Sequence, residues 1–206
     1  KPELRALTRF RQASLFSAPP ATHGFDLVLC RNVMLYFDAP KRAEGFARLA
    51  RRRADARLEI VGDNRTTPHL DLDRVANATG TGDRIRVRSY VADDELASLY
   101  GGARVFAFLS EYEGFGLTPI EALAADVPIV VLDTAVAREV YGAAAFYVDR
   151  PDPATIEAAL ERALFNEAAR RDVLDAAREV LARYSWRDCA ARVLDVLLSA
   201  AQPRRL

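Results

Sequence analysis

Ser110-Glu111-Tyr112-Glu113-Gly114-Phe115-Gly116-Leu117-Thr118-Pro119-Ile120-Glu121 is the stretch that decides how this chain folds. It follows an apolar run, Arg104 to Leu109, that reads as a buried strand. It leads into a short apolar helix, Pro119 to Ala125. A strand, a glycine-bearing loop and a helix N-terminus in that order mark the carboxyl end of a strand in an open α/β sheet, where ligands bind. Gly114 and Gly116 take backbone angles that other residues avoid and let a ligand approach the main chain. The helix that follows presents unpaired N–H groups and the positive end of its dipole, which suit a phosphate. Residue chemistry alone stops there, at a phosphate or anion site.

Working outward, the same alternation of strand and helix recurs on both sides. Upstream, Phe25 to Cys30 reads as a short buried strand after the Pro19-Pro20 and Gly24 loop. A helix of about Lys41 to Arg53 carries Ala43, Phe46, Leu49 and Ala50 at three- and four-residue steps. A strand over Arg57 to Val61, a helix over about Leu70 to Ala78, a strand at Ile85 to Val87 and a helix from Asp93 to Tyr100 follow. Asp93 has the chemistry of an N-cap. Downstream come a strand at Pro128 to Leu132, a turn of helix near Ala137 and a strand at Ala145 to Val148. From Pro153 onward the pattern is helical only, over Ala154 to Phe165, Glu167 to Arg183 and Ser185 to Ala200. Strands alternating with helices of this length predict an α/β, three-layer, Rossmann-like domain with one parallel sheet and C-terminal helices.

Composition narrows the function classes. The 206 residues suit a single domain, and a hydrophobic content of 50% gives it a core. Lys+Arg and Asp+Glu both number 29, so no net basic field recruits nucleic acid. The cysteines, Cys30 and Cys189, form no framework, and with no signal-like segment they point to a reducing, cytoplasmic setting. No apolar run reaches the length of about 20 residues that spans a membrane. His23 and His69 stand alone, without a Cys, His or carboxylate at ligand spacing, so no metal is expected.

The letters of the motif say more than its physics. Glu113-Gly114-Phe115-Gly116-Leu117, with Glu121 eight positions after Glu113, resembles the E-x7-E signature of the retaining group 1 glycosyltransferases of the GT-B fold. The likeness extends upstream through Asp94-Glu95-Leu96 and Leu99 to Ala103. Downstream it takes in Glu121 to Val130, Arg138-Glu139-Val140 and Tyr184-Ser185-Trp186, so that it covers about Leu58 to Leu198. It implies one half of a GT-B enzyme, the half that binds a nucleoside-diphosphate sugar such as a UDP- or GDP-hexose, with no tightly bound cofactor. By resemblance Glu113 is the catalytic residue at the donor sugar's hydroxyls, and Glu121 binds the ribose. Gly114, Phe115, Gly116, Leu117 and Thr118 line the diphosphate or sugar, and Tyr90 and Val91 sit where the base is held. The implied partner is an N-terminal acceptor-binding half, or a second copy through the face it would leave uncovered. An isolated donor half is expected not to catalyse transfer, because a reaction needs both substrates face to face.

A different family resembles the beginning of the chain. Phe10-Arg11-Gln12 and Phe25 to Asp38, containing Cys30-Arg31-Asn32-Val33, are similar to the chemotaxis-receptor methyltransferases of the CheR type, over about Phe10 to Ala50. Their glycine-rich first βα turn, which holds S-adenosylmethionine, has no counterpart here. The two resemblances together imply a chimera, with residues 1–50 a methyltransferase-like βα segment and residues 51–206 a glycosyltransferase donor segment, joined in the helix near Ala43 to Arg53; the alternative is a divergent natural domain whose first strand has converged on these letters. Three readings follow: a donor-binding domain, a folded scaffold without activity, and a methyltransferase remnant that binds S-adenosylmethionine.

Bland readings compete at each site residue. Glu113 also reads as a solvated loop acid near a helix dipole. Thr118-Pro119-Ile120-Glu121 also fits a capping box, with Thr118 as N-cap, Pro119 at the first helical position and Glu121 at the third. Phe115 also reads as a packing anchor, and Tyr90 as a surface or core tyrosine. Where the glycosyltransferases carry glycine, arginine and a later lysine for the diphosphate, this chain has Cys30, Arg31 and Phe37. Arg31 alone remains of that set as a phosphate ligand.

Overall fold

A computed structural model describes residues 39–53, 56–61, 71, 74, 77–78, 80–88 and 91–200. The expected strand at Phe25 to Cys30, most of the helix expected over 70–78, and Arg31 and Tyr90 lie outside these residues.

The centre of the domain is a parallel three-stranded ladder, β3 (Phe106–Phe108), β4 (Ile129–Leu132) and β5 (Phe146–Val148), in chain order. Phe106 is in register with Ile129, and Val130 with Phe146. All four residues of β4 are buried. Successive side chains of a strand point to opposite faces, so an unbroken apolar run means that both faces are covered. Ile129 and Val131 join one cluster with Leu123, Val140, Tyr141, Ala177 and Val180. Val130 and Leu132 join another with Leu49, Phe146, Ile156, Leu160 and Val173.

Those clusters define the layers. On one face lie α3 (Leu117–Ala124) and α4 (Ala135–Tyr141), the crossovers from β3 to β4 and from β4 to β5. On the other face lie α1 (Ala39–Arg52) and α5 (Pro153–Phe165). Helix α6 (Glu167–Ala182) contributes Ala169 and Val173 to one cluster and Ala177 and Val180 to the other, closing the edge of the sandwich. Asp152 caps α5 through the Ala154 and Thr155 amides, and Asn166 caps α6 through the Ala169 amide. Helix α7 (Trp186–Ala200) has no buried residue among those described.

The packing of α1 on α5 is close. A Cβ on Gly45 would lie 2.7 Å from Ile156 Cγ2, so only a glycine fits there without a shift. Arg48 Nε donates to the buried Glu157 at 2.7 Å, and Arg52 reaches both Glu157 and Glu161.

The expected single sheet is divided. A second parallel ladder pairs β1 (Leu58–Val61) with β2 (Ile85–Arg88), Leu58 opposite Ile85. Among the described residues no ladder bond joins β2 to β3. Strand β3 is only three residues long, and its ladder bonds run toward β4. The Arg84 guanidinium donates to the Ala50 and Arg53 carbonyls, which ties the start of β2 to the end of α1. Helix α2 (Asp93–Gly102) has Ala92, not Asp93, at its N-cap. Asp93 therefore supports the helix dipole from the first turn rather than capping it.

Candidate functional site

The loop from Leu109 to Gly116 leaves the carboxyl end of β3 and opens α3. Gly116 is the N-cap, with φ +84° and ψ +80°, a left-handed conformation that favours glycine. Helix α3 thus starts at Leu117, two residues before the position expected from the Thr118-Pro119 pattern. That corrects the capping-box reading. Thr118 sits at the second helical position and Pro119 at the third, and no side chain caps the helix. Pro119 is tolerated because its missing N–H is one of the helix-end donors without an intrahelical partner. The donors left at this end are the amides of Gly116, Leu117 and Thr118.

With the capping box removed, Glu121 is in the second turn of α3 and exposed. Its neighbour is Tyr100, whose hydroxyl lies 3.4 Å from Glu121 Oε2 and 3.5 Å from the Thr118 carbonyl. Partial burial, and then the Glu121 carboxylate, push the Tyr100 phenol up to about 12. Tyr100 keeps its proton at neutral pH and acts as a donor to Glu121.

Glu113 is half-buried at a shallow crevice lined by Phe108, Ser110, Glu113, Phe115, Thr134 and Tyr141. Gly114 is exposed and nothing stands within 4 Å of where its Cβ would be. Phe115 packs edge-on against Tyr184, with ring centroids 4.9 Å apart, so its side chain anchors the loop while its backbone stays in it. Leu117 and Thr118 are exposed at the helix start. Val91 follows β2 and is buried, which leaves main chain rather than side chain for a base to meet. The loop brings together Glu113, Gly114, Phe115, Gly116, Leu117, Thr118 and Glu121. Val91 belongs to the β1–β2 part of the domain.

The sequence gives no hint of the crevice floor. Tyr141, at the end of α4 and 2% exposed, donates its hydroxyl between the Phe115 carbonyl, at 3.2 Å, and the Gly116 carbonyl, at 3.0 Å. Burial foremost, and then the Glu113 carboxylate, raise this phenol well above the ordinary tyrosine range. Thr134 caps α4 through the Ala137 amide. Arg138, on the same helix, forms a bidentate pair with Asp133 at 2.7 and 2.6 Å and lies 3.5 Å over the Tyr147 ring. Among the described residues there is no cluster of three or more metal-ligating side chains, and no helix is long and apolar enough to cross a membrane.

A three-layer α/β domain with a glycine-opened helix beyond its strand ends belongs to the class of parallel-sheet folds whose ligands bind at the carboxyl ends of the strands. The family described as "Glycosyl transferases group 1" matches residues 42–180, and the chain belongs to that family. The family described as "CheR methyltransferase, SAM binding domain" matches residues 1–80, so that the two matches overlap over 42–80. The chain is 32% identical over 111 residues to O-antigen chain mannosyltransferase B of Escherichia coli, covering 54% of this chain and 29% of that protein. It is 36% identical over 152 residues to GDP-mannose:cellobiosyl-diphosphopolyprenol alpha-mannosyltransferase of Komagataeibacter xylinus, covering 70% of this chain and 38% of that one. Sucrose-phosphate synthase from Thermosynechococcus elongatus shares the fold at a TM-score of 0.65 and 24% identity, over 81% of this chain and 45% of its own. The chain thus spans less than half the length of each of these relatives.

Proposed function

We propose that this chain is the donor-binding domain of a retaining hexosyltransferase that uses a nucleoside-diphosphate sugar. The observation that carries the reading is the helix start at Gly116: a left-handed glycine, no capping side chain, and three amides at the positive end of α3. In a group 1 glycosyltransferase domain this is an anion site at the strand ends. In this reading the amides of Gly114 to Thr118 hold the diphosphate, Glu113 faces the sugar hydroxyls and Glu121 faces the ribose. Catalysis by such a domain rests on electrostatic support of the departing diphosphate, which fixed amides and a helix dipole supply without reorganising. In this scheme Tyr90 and Val91 take the base. Two of the similar proteins carry mannosyltransferase names, one of them naming GDP-mannose, which makes a guanine nucleotide the first probe.

The match of residues 1–80 to a methyltransferase family favours a second reading, S-adenosylmethionine binding. Calorimetric titration with GDP, UDP and S-adenosylmethionine separates the two. Saturable diphosphate binding that weakens at least tenfold in Glu121→Ala supports the donor reading and identifies the base. Heat with S-adenosylmethionine alone supports the second. A cooperatively melting protein that binds none of the three refutes both and leaves a folded scaffold.

A further inference from the structure

Tyr141 is the one buried phenol whose hydroxyl meets the glycine loop among the described residues, and its geometry has a consequence for the amides that follow. A peptide unit is planar and trans, so the N–H of a residue points opposite to the carbonyl of the residue before it. The Phe115 carbonyl turned toward Tyr141 forces the Gly116 N–H away from it. The Gly116 carbonyl turned the same way forces the Leu117 N–H away too. One hydroxyl therefore sets the direction of two consecutive amides at the start of α3.

The post that carries this hydroxyl is itself held. Tyr147 Oη donates to the Gly142 carbonyl at 2.7 Å and lies 3.2 Å from the Ala137 carbonyl. Arg183 and Tyr184 both donate to the Val140 carbonyl, at 3.0 and 3.2 Å. Thr134 caps the other end of α4. At the end of α4 the Arg138 carbonyl accepts from the Gly142 amide and the Tyr141 carbonyl from the Ala144 amide, so with Val140 three of the carbonyls that a helix end leaves without intrahelical partners are bonded, and Tyr141 projects from a held helix. Gly116 is required on the other side of the contact, because a Cβ there would stand 2.2 Å from Tyr141 Oη.

We propose that Tyr141 is a positioning residue for donor binding: its hydroxyl, shared by the Phe115 and Gly116 carbonyls, pre-aims the Gly116 and Leu117 amides at the diphosphate. The inference rests on the donor reading above. It does not make Tyr141 catalytic, because the hydroxyl is spent on the loop and reaches the ligand only through the amides. Pre-aimed donors bind an anion more tightly because the ordering has been done before the ligand arrives.

The test is Tyr141→Phe, which keeps the ring and removes the hydroxyl, titrated with GDP and UDP and with guanosine and uridine. The expected result is a cooperative melt within a few degrees of the parent and about a tenfold loss of diphosphate affinity, with nucleoside affinity unchanged. A purely structural role would lower both affinities together. Equal loss, or no loss, overturns the role of Tyr141 while leaving the donor reading standing. A parent that binds no diphosphate overturns the donor reading, and the inference with it. A second measurement needs no variant. In the parent, the Gly116 and Leu117 amide resonances should move strongly with the binding diphosphate and little with its nucleoside. Amides that stay still during saturable diphosphate binding overturn the proposal.

Discussion

Replacing Gly116 with alanine tests the construction of the loop through stability rather than binding. Two costs follow from its position. The first is conformational: a non-glycine residue at φ +84° sits in the left-handed region, at about 1–2 kcal/mol. The second is steric, and a single atom causes it. The new methyl would lie 2.2 Å from Tyr141 Oη, whereas the next neighbours, Tyr141 Cζ at 3.5 Å and Phe108 Cε1 at 3.6 Å, are at ordinary contact distance. The Tyr141 ring is buried and its helix is held at both ends, so it yields poorly, and overpacking of this kind costs about 1–3 kcal/mol. Gly116→Ala is therefore expected to lose about 2–5 kcal/mol, taking the two costs together. In the Tyr141→Phe background the clashing oxygen is gone and only the conformational cost remains. The double variant should then be more stable than the sum of the single losses predicts, by about 1–3 kcal/mol. Urea unfolding followed by far-ultraviolet circular dichroism reads all four corners of the cycle. Trp186 is 78% exposed and makes a poor fluorescence reporter. Losses that add to within about 0.5 kcal/mol would refute the reasoning, because they would mean that the hydroxyl does not stand over Gly116.

Other outcomes follow from the same structure. Hydrogen bonds from Thr155 and the amide of Ala154 hold the Asp152 carboxyl below the usual carboxylate range. A depressed folded-state pKa means that its contribution is complete above the unfolded value of about 4 and is lost as pH falls through the folded value. The melting temperature of Asp152→Ala should therefore lie below the parent's at pH 7 and converge on it in acid; a pH-independent gap would show that the carboxylate is not what caps α5. For Tyr100 the sign is opposite. Its phenol is raised to about 12, so its contribution is present below about pH 10 and is lost as pH climbs toward 12. In an ultraviolet titration the tyrosine signal lost in Tyr100→Phe should be one that ionises near pH 12 in the parent, and Glu121→Gln should bring that step down. A step that stays put in Glu121→Gln would show that the carboxylate is not its neighbour.

How much of this could be read from the letters depends on how far apart the cooperating groups lie in the chain. The strand, loop and helix order around Glu113 is local, and it is found as read, although β3 is shorter than Arg104 to Leu109. Arg104 is turned away instead, donating to the Leu164 carbonyl. Ladder pairing begins where the Phe106 amide meets Pro128. The helix starts at Leu117, ahead of the start that a local capping rule predicts. Thr118-Pro119 has the letters of a capped start, but the left-handed Gly116 turns the chain into the helix first. Sequence could license that glycine for ligand approach without showing that it would also serve as the cap. Tyr141 was illegible for another reason: it meets Phe115 and Gly116 across 26 and 25 residues, and no spacing rule joins a residue at the end of one helix to the start of another. The division of the sheet into two ladders was likewise a matter of pairing rather than of strand content.

The overlap of the two family matches falls on α1, and its packing constrains what the first part of the chain can be. Phe46, Ala47, Leu49 and Ala50 are all buried, and Leu49 shares a cluster with Val130, Leu132 and Phe146 of the central ladder. That helix is therefore a layer of the glycosyltransferase domain and not an appendage beside it. Its seat is specific. Gly45 is needed opposite Ile156, Arg48 and Arg52 flank the buried Glu157, and the Arg53 guanidinium lies 3.8 Å over the Phe165 ring. Breaking such a pair from one side strands a buried carboxylate, which costs more than the pair gains when whole. A helix grafted at random would meet these four requirements by chance only rarely. The sequence of α1 is thus fitted to α5 whichever family its letters resemble, and the face of β4 that carries Val130 and Leu132 depends on it for cover.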